Sequence, residues 1–166
     1  MGMSVSNTLS IRQFYAKDFQ LVTPANREKT TTGTLSFADS TALRNAIRQL
    51  GDYNFKDSSD DDLSEKIKAF ADTYNNTISS ATKYSHTDRS LNQTVKKMKD
   101  LSTEYADELA KFGITLDDKG KMEVSGTAAK NVAHEKFESL LGKDSKYMNS
   151  LYDIAKKIST HVDIKL

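Results

Sequence analysis

Two long apolar stripes at helical spacing constrain the fold of this chain more than any other feature. The first runs at steps of four, three, four, four and three residues through Leu63, Ile67, Phe70, Tyr74, Ile78 and Ala81. The second, which Gly113 follows, runs through Leu91, Val95, Met98, Leu101, Tyr105, Leu109 and Phe112. Such spacing places the side chains on one face of an α-helix. Only the short polar stretch 85–87 separates the stripes, so the two helices should pack antiparallel as a long hairpin.

The seam of this hairpin supplies the candidate contact residues. Each arm should span roughly 25 residues and pack much as in a coiled coil, without a strict heptad repeat. We expect two trios to form the seam or to contact a partner: Phe70, Tyr74 and Ile78 on the first helix, and Met98, Leu101 and Tyr105 on the second. Such a hairpin is about 37 Å long. Shorter neighbouring helices should leave part of its apolar surface exposed to another protein chain.

Shorter helices should flank the hairpin. Their N-termini can be capped by Asp39 or Ser40 in the first helix, by Ser125 or Thr127 in the fourth and by Asp144 in the fifth. Gly51 can close the first helix in the left-handed conformation, and Gly142 can stop the fourth. Between them, the alternating residues of 114–116 and 122–124 flank a turn with Gly120, which predicts a short β-hairpin. The predicted fold class is all-α, a small helical bundle with one β-hairpin near 114–124.

The chain should form a single helical domain, residues 37–166, preceded by a polar leader. Residues 1–36 are rich in threonine and hold the only proline, Pro24. We expect this leader to be loosely ordered and to dock on another surface, which includes the surface of a partner protein. A length of 166 residues fits one domain.

Composition excludes several classes of protein. The chain has 24 Lys and Arg against 23 Asp and Glu, so it lacks the basic excess that nucleic-acid binding requires. It has no cysteine, which rules out disulfides, thiolate zinc sites and a cysteine nucleophile. No apolar run approaches the roughly 20 residues of a membrane span. The N-terminus lacks the basic and apolar regions of a cleaved signal peptide, so we expect none.

The sequence predicts no catalytic residue, metal or cofactor. The acidic run 60–62 with Glu65 could hold calcium, but carboxylates at a helix start are better explained by the helix dipole. The segment around Asp117 lacks the EF-hand ligands, because Thr115 and Gly126 occupy the first and twelfth positions. The three histidines have no second ligand at helical spacing. Phosphate-binding loops and hydrolase elbows are also absent from the sequence.

Three segments in order resemble the flagellar filament cap family, also called hook-associated protein 2. Residues 70–78, Phe-Ala-Asp-Thr-Tyr-Asn-Asn-Thr-Ile, resemble the family's Phe-Val-x-x-Tyr-Asn-x-x-Ile helix. Residues 109–115, with Gly113-Ile114, and 118–124 resemble its Leu-x-x-x-Gly-Ile segment and its Asp-Gly-x-Leu-x-Leu turn. Residues 137–142 resemble the segment that follows the turn. The resemblance covers about residues 60–160.

This resemblance implies a non-enzymatic structural protein. In the family, these segments build the helical leg of a subunit that oligomerises at the filament tip and helps flagellin subunits into place. The implied location is extracellular, on the bacterial flagellum, after export without a cleaved signal peptide. The implied partner is a second copy of the chain or a flagellin-like subunit. Two features depart from the family: residues 1–58 are too short for its β-rich domains, and its long terminal helix has no counterpart.

Two other classes stay open at this stage. One is a helical binding module or export chaperone of the cytoplasm. The other is an enzyme or toxin fragment whose site has no recognisable motif. Finding the protein outside the cell or on an appendage would favour the filament cap. Copurification with a single client protein would favour the chaperone. A buried cluster of polar side chains in a pocket would favour the enzyme.

Overall fold

The computed structural model describes residues 9–165, with side chains for 9–163, and is predominantly helical. The α-helices in this part of the chain are α1 Leu9–Tyr15, α2 Pro24–Glu28, α3 Thr32–Gly51, α4 Asp60–Ser85, α5 Asn92–Glu104, α6 Ala106–Lys111, α7 Ala128–Asn131, α8 Glu138–Leu141 and α9 Lys146–Lys165. Short 3₁₀ helices span Ala16–Val22, Arg89–Leu91 and His134–Phe137. Strands β1 Ile114–Leu116 and β2 Met122–Val124 form the only sheet of the described residues. This architecture confirms the all-α class and the small helical bundle.

The long antiparallel hairpin is formed by α3 and α4. Ser80, late in α4, donates to Asp39 in the first half of α3, and Tyr53, just after α3, donates to Asp62 at the start of α4. The same helix α3 also packs along α9, so it lies between two long neighbours. Leu43, Ala46 and Leu50 on α3 are fully buried, and they supply the centre of the core.

The predicted pairing of residues 63–81 with 91–112 holds only in part: α5 contacts α4 and Tyr74 donates to the Met98 carbonyl, but the long antiparallel partner of α4 is α3. The second of these segments breaks into the 3₁₀ turn, α5 and α6, and the backbone leaves helical geometry at Tyr105. Its apolar face packs largely on α9: Ser102 hydrogen-bonds the Tyr147 hydroxyl at 2.8 Å, and the rings of Tyr105 and Tyr147 lie 5.1 Å apart. A stripe identifies the buried face of a helix but not the helix that covers it.

The N-terminal segment differs from the expected loose leader. Residues 9–31 fold into α1, the 3₁₀ helix and α2, and Ile11, Phe14 and Tyr15 are buried against the bundle. Residues 1–8, the rest of that leader, lie outside the described part. Helix α3 begins at Thr32, well before the predicted start, because the Thr31 side chain accepts from the Thr34 N–H at 3.3 Å and caps it.

Side chains cap three further helical segments. Ser59 caps α4 by accepting from Asp62 N–H at 3.1 Å, and Asp88 caps the 3₁₀ turn that follows. In α9 the cap is Ser145, which accepts from Met148 N–H at 3.1 Å, and not Asp144. Gly51 does end α3, but its φ is not positive, so the predicted left-handed closure was wrong.

The β-hairpin is confirmed, with Ile114, Thr115 and Leu116 paired to Val124, Glu123 and Met122. Gly120 has φ +81° in its turn, a region that favours glycine. Gly113, after α6, has φ +79°, and a Cβ there would lie 2.5 Å from the Ala128 Cβ. Glycine at both positions lets the hairpin fold back tightly onto the helices.

The predicted exposed stripe on the long pair of helices was also wrong. Phe70 and Tyr74 are fully buried, because α1, α3, α5, α7 and β2 all contact α4. Among the described residues, the exposed large apolar side chains are Leu9 and Phe19, both in the N-terminal segment. In residues 9–165, no helix combines the length and hydropathy that crossing a membrane would require.

Candidate functional site

The segments that carry the family resemblance meet where α4 contacts the β-hairpin. Asn75 Nδ2 donates to the Met122 carbonyl at 2.9 Å, and the Met122 N–H donates to Asn75 Oδ1 at 2.7 Å. The side-chain amide thus pairs with β2 as a neighbouring strand would, and it satisfies both backbone groups that β1 leaves free. This reciprocal pair fixes the hairpin to one position on the helix.

Buried aromatic residues pack beside this helix–hairpin junction. Tyr74, fully buried, donates to the Met98 carbonyl at 3.4 Å. Burial raises the pKa of Tyr74 to about 12, with a hydrogen bond from Ser102 acting in the other direction. The Phe112 and Phe137 rings lie 4.8 Å apart, next to α6 and α8. A neutral, enclosed phenol of this kind holds the packing and has no use as an acid or base near pH 7.

An open polar groove runs along the junction. It has a volume of about 460 Å³ and lies between Asn75, Asn76 and Ser79 of α4 and residues 117–119 and 121–123 of the hairpin. Asp118, Lys119 and Glu123 are exposed on its rim. The turn is held on its other side as well, because a Cβ on Gly120 would meet the Lys99 side chain at 3.1 Å. The groove therefore presents mixed charge from a firmly held loop.

The six candidate seam residues are distributed over two places. Phe70, Tyr74, Ile78 and Met98 are buried in the core, whereas Leu101 and Tyr105 are half-buried around α5 and its C-terminal end. The structure brings Tyr74 to Met98, but Tyr105 contacts Tyr147 instead of α4. The four buried side chains are inaccessible to a partner of the folded monomer.

A buried charged cluster lies elsewhere, and sequence reasoning missed it. The fully buried carboxylate of Asp39 accepts from Arg27 Nη1 at 2.8 Å and Nη2 at 2.7 Å. It also accepts from the Tyr15 hydroxyl and the Ser80 hydroxyl, each at 2.6 Å. Asn76 Nδ2 donates in turn to the Tyr15 oxygen at 2.9 Å. Asp39 lies inside α3 and not at its N-cap, so a polar residue that looked like a cap holds the N-terminal segment to the bundle.

The electrostatics of this cluster match its geometry. Burial, followed by the charge of Asp39, raises the pKa of Tyr15 well above its ordinary value, so Tyr15 donates to the carboxylate. Burial alone would lower the pKa of Arg27, but hydrogen bonds and charge from Asp39 outweigh it and raise that pKa. Both shifts favour a charged guanidinium and a neutral phenol, which indicates a structural role for the cluster.

His134 joins the start of α4 to the segment after the β-hairpin. Its Nδ1 lies 3.0 Å from the Ser58 carbonyl and 2.9 Å from Ser58 Oγ, whose own proton goes to the Phe55 carbonyl. Its Nε2 lies 2.7 Å from the Ala129 carbonyl and 2.7 Å from Asp60 Oδ1. Acceptors thus face both ring nitrogens, which fits the doubly protonated imidazolium. Burial lowers the pKa of His134, but the hydrogen bonds to Ala129, Ser58 and Asp60 raise it overall.

The acidic run at 60–62 lies in the first turn of α4, as its helix-start explanation requires. Asp60 pairs with His134, and Asp62 accepts from Tyr53 and lies 3.7 Å from Lys66. Within the described residues, no three His, Cys, Asp or Glu side chains are grouped as a metal site would need.

Ser90, His161 and Asp88 form a cluster with the residue types of a hydrolase triad. His161 Nε2 lies 2.7 Å from Asp88 Oδ2 and 2.9 Å from Ser90 Oγ, and Ser90 also donates to Asp88. A triad needs the serine on one ring nitrogen and the carboxylate on the other. Here one nitrogen contacts both, so the histidine cannot relay a proton between them, and the cluster instead ties the end of α9 to the 3₁₀ turn.

Comparison with protein-family models, with curated proteins and with solved structures found no match for this chain.

Proposed function

We propose that the protein is a non-enzymatic structural or assembly protein of the flagellar filament-cap type, acting through protein–protein contacts. One observation carries the proposal. The resembling segments lie far apart in sequence, yet Asn75 of the first pairs through both amide atoms with Met122 of the turn segment. Their contact supports interpreting them as one inherited unit.

The proposed contact surface is the rim of the groove at the helix–hairpin junction. Asp118, Lys119 and Glu123 are exposed there, on a turn fixed by Asn75 and Lys99. A preorganised loop loses little conformational entropy when it binds, so its contacts translate efficiently into affinity. Its mixed charge suits a polar protein surface and gives specificity and register more than affinity. The partner would be a second copy of this chain or a flagellin-like subunit.

The proposed location is extracellular, on the bacterial flagellum, after export without a cleaved signal peptide. The alternative, a cytoplasmic binding module or export chaperone, is favoured by a different surface. Phe19 is 45% exposed with the Arg12 guanidinium 4.9 Å from its ring centroid, and Leu9 nearby in sequence is 69% exposed. Apolar side chains held open in this way suit an unfolded or extended client.

Charge reversal on the rim tests the proposal. Size-exclusion chromatography with light scattering should show self-association, or a complex with a flagellin-like subunit. We expect Asp118→Lys with Glu123→Lys to weaken that complex by about tenfold or more, and Glu28→Lys, on exposed α2, to leave it unchanged. Fractionation of native cells should place the protein outside, on an appendage.

Other outcomes would separate the alternatives. A cytosolic protein that copurifies with one client, through contacts that Phe19→Ser abolishes, would support the chaperone. A strict monomer at high concentration that binds neither flagellin nor a coexpressed protein would contradict both.

A further inference from the structure

A second groove, between the end of α3 and the start of α9, holds positive charge that the protein itself leaves unmatched. It has a volume of about 350 Å³, within the range of small-ligand sites. Arg48 and Lys143 line it together with Tyr152, and no carboxylate of the described residues lies within ion-pair distance of either cation. This groove is remote in sequence from the helix–hairpin junction and independent of it.

Tyr152 holds two guanidiniums in place beside the groove. Arg44 and Arg48, one turn apart on α3, lie with their Cζ atoms 5.3 and 5.2 Å from the Tyr152 ring centroid. Both donate to the same hydroxyl oxygen, Arg44 at 3.3 Å. Each guanidinium has five N–H donors, and the buried Nε of Arg44 has no partner. The pair is thus positioned by one phenol while most of its donors remain unused by protein groups.

The positive potential is visible in the phenol itself. Burial acts to raise the pKa of Tyr152, but the hydrogen bonds and charges of Arg44 and Arg48 outweigh it and lower that pKa. The same two guanidiniums would also attract another oxyanion placed near them.

The floor of the groove is apolar, and two glycines shape it. Ile47 and Met148 are almost fully buried and line its base. A Cβ on Gly142 would come within 2.6 Å of the Glu138 carbonyl, so only glycine fits there. That tight turn brings the Lys143 backbone against Gly51, where an added Cβ would lie 3.3 Å from the Lys143 Cβ. The sequence thereby places Lys143 next to the apolar floor of the groove, at the end of α3.

We propose that this groove binds a small organic anion, its phosphate or carboxylate held by Arg48 and Lys143 and its apolar body resting on Ile47 and Met148. Arginine suits this role because its planar fork donates two parallel hydrogen bonds to either group. Asp52 also lines the groove and disfavours a ligand that carries a second anionic group. The ligand class is therefore one charged head on a compact apolar group.

Calorimetric titration of the full chain with phenyl phosphate, benzoate and inorganic phosphate tests this assignment. We expect saturable binding of an aryl anion, tighter than inorganic phosphate, and the tighter of the two aryl anions identifies the preferred head group. Arg48→Gln and Lys143→Gln should each weaken binding about tenfold or more. Lys97→Gln, an exposed lysine on α5, should change nothing.

Three outcomes would overturn the proposal. They are the lack of saturable binding of any of the three anions by the unmodified chain, an equal loss in Lys97→Gln, and inorganic phosphate binding as tightly as the aryl anions. Thermal melts of each variant show that loss of binding is not loss of folding.

Discussion

Asp39 and Asp88 accept a hydrogen bond of the same length in opposite surroundings. Asp39 Oδ2 lies 2.7 Å from Arg27 Nη2, and Asp88 Oδ2 lies 2.7 Å from His161 Nε2. The Asp39 side chain is fully buried, whereas 18% of the Asp88 side chain and 28% of its partner remain exposed. Distance alone therefore gives no measure of what either contact contributes. The decisive quantity is what surrounds the carboxylate once the contact is removed.

At Asp39 nothing can replace a lost partner. The carboxylate is held by two guanidinium nitrogens and two hydroxyls. Its removal would leave the Arg27 charge without a counter-ion and the Tyr15 hydroxyl without an acceptor, whereas Ser80 still donates to the Asn76 carbonyl. At Asp88, water can replace His161 or Ser90, so the net gain from each bond is small. Four predictions test how far this contrast extends.

The largest effect is expected for Asp39→Ala. It leaves the Arg27 charge without a counter-ion and the Tyr15 hydroxyl without an acceptor, so the free energy of unfolding should fall by about 3–5 kcal/mol. Urea denaturation measures it. The double variant Asp39→Ala with Arg27→Met should lose less than the single one, because it removes the stranded charge. A loss below about 1 kcal/mol in the single variant would show that the buried pair contributes no more than a surface one.

A smaller loss is expected for Tyr15→Phe. This change removes one donor to a buried charge and leaves Asn76 Nδ2 without its acceptor, so stability should fall by about 1.5–3 kcal/mol. Tyr84→Phe, a half-buried tyrosine at the end of α4, is the matched control and should be near neutral. Equal effects in both variants would mean that the cluster tolerates the loss of a donor.

His134 should show an intermediate, pH-dependent effect. Its pKa is raised in the folded state, so its stabilisation is complete below the ordinary histidine pKa of about 6.5 and is lost as pH rises through the folded value. Thermal melts across this window should therefore show falling stability with pH. His134→Gln should flatten that dependence. If His134→Gln keeps the pH dependence of stability, that dependence belongs to another titratable group.

The smallest effect is expected for Asp88→Asn. Hydrogen bonds from Ser90 and then His161 lower the pKa of Asp88 to about 2. Its stabilisation is present above the ordinary carboxyl value of about 3.8 and fades as pH falls towards 2. At neutral pH, where this stabilisation is present, the melting midpoint should fall only slightly, because water can replace the lost contacts at this partly exposed site. A destabilisation comparable to that of Asp39→Ala would overturn the contrast.

Sequence patterns predicted local structure correctly. They failed wherever the residue in contact lies far away in the sequence. The stripe through Phe70 and Tyr74 and the turn at Gly120 depend on neighbours within a few residues, and both predictions were correct. The contact between Asn75 and Met122 spans 47 residues, and nothing at either position specified it.

Asp39 shows the same limit. The sequence predicted Asp39 as a possible helix cap, but Arg27 and Ser80, distant in sequence, make it an interior carboxylate. Only their convergence in three dimensions could reveal this.

The contact between α3 and α9 has a consequence for how the chain is made. Ser40 and Ser159 Oγ atoms lie 2.7 Å apart although 119 residues separate them. On a ribosome, α3 and α4 emerge and can pair long before α9 exists. Until then, the face of α3 that α9 will cover stays in water, and the nascent hairpin carries an apolar surface that the finished molecule conceals. Helix α9, which follows α3 and α4 in the chain, therefore closes this face of the core, and the interval before it arrives is when the hairpin is most exposed to aggregation or to capture by a chaperone.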